Sequence, residues 1–318
     1  MSSHTATLRK EVTAIRSTGG RRNSALARRR ARTGFFLTLP ALVLVTAVVL
    51  VPIGFAIWIS LNNWPLFGDI NFTGISNYVR IFNDPVFLQA IGFTLLYVVV
   101  VTPPIVVFGY LLAAFVRSSR PGTRIFRTLF FLPTVVGLTT LSFLYFVELR
   151  PSDGLVNVVL GGLHITNGQT SWQINWVTGL VAVSALVVWF GVGTTMMLLL
   201  GGMQSVSPEI YEAAMIDGAN AWQRETRITL PLIRRSVAMA LVLSVIGSFL
   251  AFQQFLIVTG GGPGTQTTTI VMWVYHKAFV DQQIGTATAM GVVVMLVVAL
   301  LTSIQLFLLR DKNEGGTA

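Results

Sequence analysis

The chain has 318 residues, of which 53% are hydrophobic and only 11% charged; 22 bases against 12 acids leave a net charge of +10. With a mean hydropathy of +0.72, it is unlike a soluble domain, which carries about 25% charged residues. Cysteine is absent, which excludes disulfides and thiolate metal sites.

Residues 1–33 form a basic arm ending RRNSALARRRARTG, with nine bases ahead of the first apolar run. Beside a membrane span such an arm acts as an orientation signal drawn to anionic lipid, at about 1 kcal/mol per base near the surface. Nucleic-acid binding is the alternative, but the arm and loops already account for the positive charge, so no nucleic-acid partner is expected. The apolar run that follows is too long for a cleaved signal peptide and lacks a small-residue cleavage site.

Six charge-free intervals then follow, between residues 32 and 69, 84 and 117, 127 and 148, 153 and 209, 235 and 277, and 281 and 310. Each is long enough to cross a hydrocarbon core about 30 Å thick, which takes about 20 helical residues. Runs such as LPALVLVTAVVLVPIGFAIWI do not alternate as barrel strands do. Lipid offers no hydrogen-bond partner, so each run must pair its own backbone by coiling. The expected fold is therefore an all-α integral membrane protein with six transmembrane helices, at about 34–60, 88–116, 125–148, 176–201, 231–258 and 286–309. The segment LVNVVLGGLHI in the fourth interval is too short to span and reads as a helix lying on the membrane surface.

The bases fix the orientation. With the N-terminus cytoplasmic, 19 of 22 fall inside: the nine of the arm, Arg117, Arg120, Arg124, Arg127, Arg224, Arg227, Arg234, Arg235, Arg310 and Lys312. Only Arg80, Arg150 and Lys277 remain outside, the asymmetry of the positive-inside rule. Both termini are expected in the cytoplasm, with a span domain at 34–310 and a short tail at 311–318.

Several chemistries are missing. His4, His164 and His276 are scattered, and none of Lys10, Lys277 and Lys312 follows the glycine pattern of a phosphate-binding loop. No catalytic residue, metal site or nucleotide site is therefore expected in this chain. The spans also lack the buried acids of a proton relay, and the chain shows no internal repeat of the kind secondary carriers use. A self-sufficient carrier or channel is the alternative reading, and an embedded enzyme is a further rival.

Between the fourth and fifth helices, residues 206–230 are polar. Ser207 is placed to cap a helix, Pro208 suits its first turn and Glu209 faces the positive end of its dipole. Tyr211, Ala214, Met215 and Gly218 fall at i, i+3, i+4 and i+7, which predicts one packed stripe, and Gly218 is expected to end the helix. A second short helix is expected from about Ala221 to Ile228, leading to Pro231 at the start of the fifth span. On physical grounds alone this is either an interfacial loop or a cytoplasmic knuckle.

The spacing Glu-Ala-Ala, three residues, Gly, nine residues, Ile-x-Leu-Pro places Glu212, Ala213, Ala214, Gly218, Ile228, Leu230 and Pro231 in a pattern that resembles the signature loop of permease subunits in bacterial ABC importers. LLLGGMQSVSPEIYEAAMIDGA, FTGISNYVRIFNDPVF, DGLVNVVLGGL and TGGGPGTQTTT are similar to the carbohydrate-type group that includes the maltose and glycerol-phosphate permeases. The resemblance runs from about Gly34 to Arg310. It departs at Phe93, where many relatives have Asn.

This resemblance implies a coupling helix in which Tyr211, Glu212, Ala213, Ala214, Asp217 and Gly218 dock on a separate ATPase subunit. It further implies a second permease subunit, two ATPase subunits that bind ATP and Mg, an external solute-binding protein or lipoprotein, and a sugar carried across the cytoplasmic (inner) membrane. Ser248, Phe252, Gln253 and Phe255 in the fifth span combine aromatic faces with polar groups suited to a sugar, although aromatic residues in a span also serve packing. Gly260, Gly261, Gly262 and Pro263 form a turn that either meets the binding protein or partner permease, or simply needs its glycines for backbone freedom. With no base inside any span, a neutral sugar is favoured over glycerol phosphate.

Overall fold

The computed structural model describes residues 27, 30–65, 68–117, 122–151 and 153–309. Most of the basic arm, Arg120, Arg310 and the tail lie outside them. The described chain divides into two units, one ending at Trp58 and the other starting at Ile59.

The first unit is made up mainly of helix α1 (Arg30–Ser60), whose last two residues fall past the unit boundary; none of its most apolar stretch is buried. It contains a widened π turn at Thr46–Leu50, closed by the Val51 amide on the Thr46 carbonyl. Pro52 follows directly. A proline collides with the carbonyl four residues earlier, and a wide turn relieves that collision.

The second unit opens with a two-strand hairpin, β1 (Asn62–Asn63) and β2 (Asn71–Phe72), paired antiparallel, and with α2, Ser76–Phe82. Neither was expected from hydropathy. Asn77 locks this loop by donating to the carbonyls of Ser60 and Asn62, both at 2.9 Å.

Helix α3 (Pro85–Val116) starts three residues before the expected position because Asp84 caps it, accepting from the amides of Val86 and Phe87 at 2.9 and 3.3 Å with Pro85 in the first turn. Helix α7 (Trp176–Gln204) is capped likewise by Asn175, which accepts from Thr178 at 2.9 Å. These two helices form the spine of the unit. Tyr97, Val101 and Ile105 of α3 bury against Val183, Leu186 and Val187 of α7. Farther along, Ala113 and Val116 meet Met196, Leu199, Leu200 and Met203. Small residues allow the close approach: a Cβ on Gly109 would stand 2.5 Å from the Thr195 methyl, and one on Gly191 would stand 3.1 Å from Ile105.

The third expected span is broken. Helices α4 (Thr123–Val136) and α5 (Leu138–Glu148) meet at a 97° bend, hinged on Gly137 at φ +88 and ψ 144, a conformation that favours glycine. The short α6, Leu155–Gly162, appears where a surface helix was expected. Its buried Asn157 donates to the carbonyls of Leu149, Arg150 and Thr170 and accepts from the Trp172 indole, tying that loop to the end of α5.

The fifth expected span, 231–258, is also corrected. After α8 (Pro208–Ile216), helix α9 runs Ala221–Leu232 and turns 74° into α10, Arg234–Phe249. A non-helical link through Ala251 then leads to α11, Gln253–Val258. A further helix not expected from the sequence, α12 (Ile270–Val280), is capped by Thr269, which accepts from Met272 and donates to the Ala251 carbonyl. The unit closes with α13, Ile284–Leu309, packed through Ala289, Met290 and Val294 against Ile81, Phe87, Phe249 and Ile270. Among the described residues, four helices are long and apolar enough to cross a membrane, or up to six if each bent pair is one span.

Candidate functional site

The polar segment after α7 folds as two short helices joined at a glycine. Ser207 stands at the cap position of α8, but its side chain makes no capping hydrogen bond, contrary to expectation; Pro208 and Glu209 occupy the first turn as expected. The far end closes on Gly218 at φ +76. There the Gly218 amide donates to Met215 and the Ala219 amide to Ala214, at 3.1 and 2.9 Å, a paired closure that suits glycine in the left-handed conformation.

The expected stripe is only half realised. Tyr211 is half-buried and Ala214 buried, but Met215 and Gly218 are exposed, together with Glu212, Ala213 and Asp217. Ile210, Met215 and Ile216 stand 41%, 51% and 87% exposed, and Trp222 on the next helix 75%. The reason is length: nine residues give α8 a single packed edge, and its other sides face away from the unit.

Helix α9 starts on a capping box unnoticed in the sequence, in which the Asn220 side chain accepts from the Gln223 amide and the Gln223 side chain from the Asn220 amide. It widens into a π turn at Glu225–Thr229, closed by the Leu230 amide on the Glu225 carbonyl, immediately before Pro231. Pro231 therefore lies within α9 rather than opening the fifth span, and the chain turns at Ile233 instead.

Polar contacts join these helices to α3. Tyr110 donates to Glu225 Oε2 at 2.6 Å, and Arg117 binds Glu225 Oε1 at 3.0 Å. The Arg117 guanidinium also donates to the Tyr211 hydroxyl at 3.1 Å and lies 4.7 Å from its ring centre. Nothing in the sequence pattern singled out Tyr110, Arg117 or Glu225. Arg117 and Glu225 lie 108 positions apart, and only the fold brings them together.

A cavity of about 400 Å³ lies where α3, α5, α7 and α10 converge. Its walls are mostly apolar, from residues such as Ile105, Leu138, Phe190 and Leu243, and its polar groups are Thr194, Thr195, Ser244, Ser248 and Gln254. No charged side chain lines it. Of the four residues proposed for the solute path, the structure brings only Ser248 to this wall. Phe255 is fully buried, edge-on to Phe93 and Tyr97 at 5.3 and 4.8 Å, so the phenylalanine at the position of the missing Asn serves packing. Phe252 lies 5.1 Å from the Tyr275 ring, and Gln253 accepts from Thr139 at 2.8 Å. Gln254, one residue on, is buried at the cavity and was missed.

The glycine turn is tightly built. Gly260, Gly261 and Gly264 all have positive φ and the Gly262–Pro263 bond is cis. Thr267 donates to the Gly262 carbonyl at 2.7 Å, and its hydroxyl lies 2.8 Å from Thr259 Oγ1. The left-handed backbone accounts for glycine at 260, 261 and 264. Among the described residues, no group of three or more His, Asp or Glu is placed to hold a metal ion.

A family model described as the binding-protein-dependent transport system inner membrane component matches residues 105–313, roughly two thirds of the chain. The chain belongs to that family. The permease is 32% identical over 283 residues to the probable ABC transporter permease protein YurN of Bacillus subtilis, spanning 88% of this chain and 97% of the relative. It is 32% identical over 273 residues to the multiple sugar-binding transport system permease protein MsmF of Streptococcus mutans, spanning 85% and 92%. Among solved structures, a chain of a bacterial alginate ABC transporter, in complex with an alginate pentasaccharide-bound periplasmic protein, aligns with TM-score 0.74 over 91% of this chain and 98% of its own, at 21% identity. The fold of this permease is thus that of an ABC transporter membrane subunit, a multi-pass component of the inner membrane.

Proposed function

We propose that this permease carries a neutral sugar inward as one of two permease subunits in an ATP-driven importer. In this reading the bent pairs α4–α5 and α9–α10 each count as one span, giving six, with both termini and α8 cytoplasmic. An external solute-binding protein delivers the sugar, and two separate ATPase subunits bind ATP and Mg. The observation that carries the reading is the set of uncovered apolar side chains around α8 and on its neighbour, Ile210, Met215, Ile216 and Trp222, on a glycine-closed helix carrying the family's signature spacing. A short helix with apolar side chains exposed on several sides suits a groove in another protein. Seated there, Tyr211, Glu212, Ala213, Ala214, Asp217 and Gly218 form the lever through which closure of the ATPase pair rocks the spans from inward-facing to outward-facing.

The cavity supplies the solute path. Hydroxyls and an amide set into apolar and aromatic walls suit a sugar's hydroxyl rim and its apolar ring face. The absence of charge in its lining favours a neutral solute, and the multiple sugar-binding system named for the Streptococcus mutans relative supports a sugar as that solute. Gly247 tests the path. It lines the cavity, and a Cβ there meets nothing within 4 Å, so Gly247→Phe adds bulk to open space within a helix. That helix gains rather than loses intrinsic propensity, by a fraction of the roughly 1 kcal/mol that separates Gly from Ala. We expect sugar uptake by the reconstituted importer to fall at least about tenfold, the effect of about 1.4 kcal/mol, with ATP hydrolysis retained. Unchanged uptake would remove the cavity from the path.

A further inference from the structure

Resting on the coupling role proposed for α8, we infer that Arg117 and Glu225 are positioning residues, a polar clamp that ties α8 to span α3 and transmits its displacement.

Helix α8 is thinly attached. Of its nine residues, Tyr211 and Ala214 alone are not exposed. Ala214 contributes one methyl group, so the directional hold on the helix falls to Tyr211. Its hydroxyl accepts from Arg117 and lies 3.2 Å from Thr229 Oγ1, and its ring lies beneath the guanidinium. Arg117 is in turn held by Glu225 Oε1, while Glu225 Oε2 accepts from Tyr110 at 2.6 Å. Three elements thus meet at one acid and one base: Tyr110 and the C-cap Arg117 belong to α3, Tyr211 to α8, and Glu225 and Thr229 to the wide turn of α9. That turn carries Glu225 and the fully buried Thr229 to the same side, one turn apart.

A push on a short helix is lost if the helix can pivot. Apolar contact alone is non-directional, whereas a guanidinium fork fixes both distance and angle. The clamp is largely enclosed, with Arg117 and Glu225 side chains 29% and 23% exposed and both hydrogen-bonded to tyrosines, so its groups are held in one geometry. We assign it the role of setting the angle at which α8 meets α3.

The test uses the complete importer in vesicles, comparing sugar moved per ATP hydrolysed for wild type, Arg117→Gln, Glu225→Gln, the double variant and Tyr211→Phe. Each single charge variant is expected to lower that ratio about tenfold, and Tyr211→Phe about threefold. The double variant should do no worse than either single, because all break one unit. Co-purified ATPase and the thermal midpoint should stay at wild-type values. An unchanged ratio, multiplying losses in the double variant, or a loss matched by lost ATPase or a lowered midpoint would each overturn the clamp. If wild type itself moved sugar without hydrolysis, the proposed function would fail instead, before any variant was compared.

Discussion

Replacing Gly218 with valine, or Ala214 with leucine, should reduce sugar uptake by the assembled importer at least about tenfold, while the protein still inserts and ATP hydrolysis continues. Gly218 sits at φ +76 with open space where a Cβ would project, so the penalty is in the backbone, not in crowding. For L-residues the left-handed conformation costs about 1–2 kcal/mol, and a β-branched residue is the least tolerant of it. The simplest escape is to unwind the closure, releasing the amides of Gly218 and Ala219 from the Met215 and Ala214 carbonyls. Ala214→Leu acts instead at the packed edge of the same helix. Ala214 is 7% exposed, and overpacking at a buried site costs about 1–3 kcal/mol. Energies of that size change a conformational ratio by about 5–30-fold, enough to displace α8 in most molecules. Comparing uptake with phosphate release in vesicles separates uncoupling from collapse; wild-type uptake in both variants at equal expression would contradict the lever.

Gly193→Ala is expected to destabilise the folded permease by about 1–3 kcal/mol, although it adds a single methyl group. That carbon would fall onto the Phe130 carbonyl oxygen and stand 3.1 Å from the Phe131 Cα. Both obstacles are backbone, so no side-chain rotation relieves them, and α4 must move away from α7. Gly201 on the same helix provides the control, since a Cβ there meets nothing within 4 Å. Gly201→Ala should be neutral or slightly stabilising, because alanine is favoured in a helix interior by about 1 kcal/mol. Thermal unfolding of the two variants in one detergent distinguishes them; equal midpoints would show that the α4–α7 contact tolerates separation.

Hydropathy located the apolar segments well because lipid demands internally paired backbone. It could not see where a span bends. Gly137 hinges the third expected helix inside a stretch apolar enough to read as continuous, whereas the turn at Ile233 lies beside Arg234 and Arg235, two residues past the proline expected to open the fifth span. The start of α3 shifted where a polar cap did the work, the Asp84 side chain satisfying the first free amides. Helix α12 was hidden because its apolar run is short and lies between spans. At α8 the turn chemistry of Pro208 and Gly218 was legible locally, but which face packs was not. That depends on Arg117 and Glu225, 108 positions apart, a partnership no periodicity encodes. The solute path was harder still. Phe255 looked like a sugar platform in the sequence, yet it fills the core, while Gln254 beside it reaches the cavity.

The most direct test of the account is reconstitution of the purified permease in vesicles, alone and together with its ATPase and second permease subunits, with labelled sugar presented on the binding protein. Uptake is expected only in the complete assembly, and only while ATP is hydrolysed. Sugar movement by the permease alone, without any ATPase, would contradict the claim that this chain is a gate driven by another subunit.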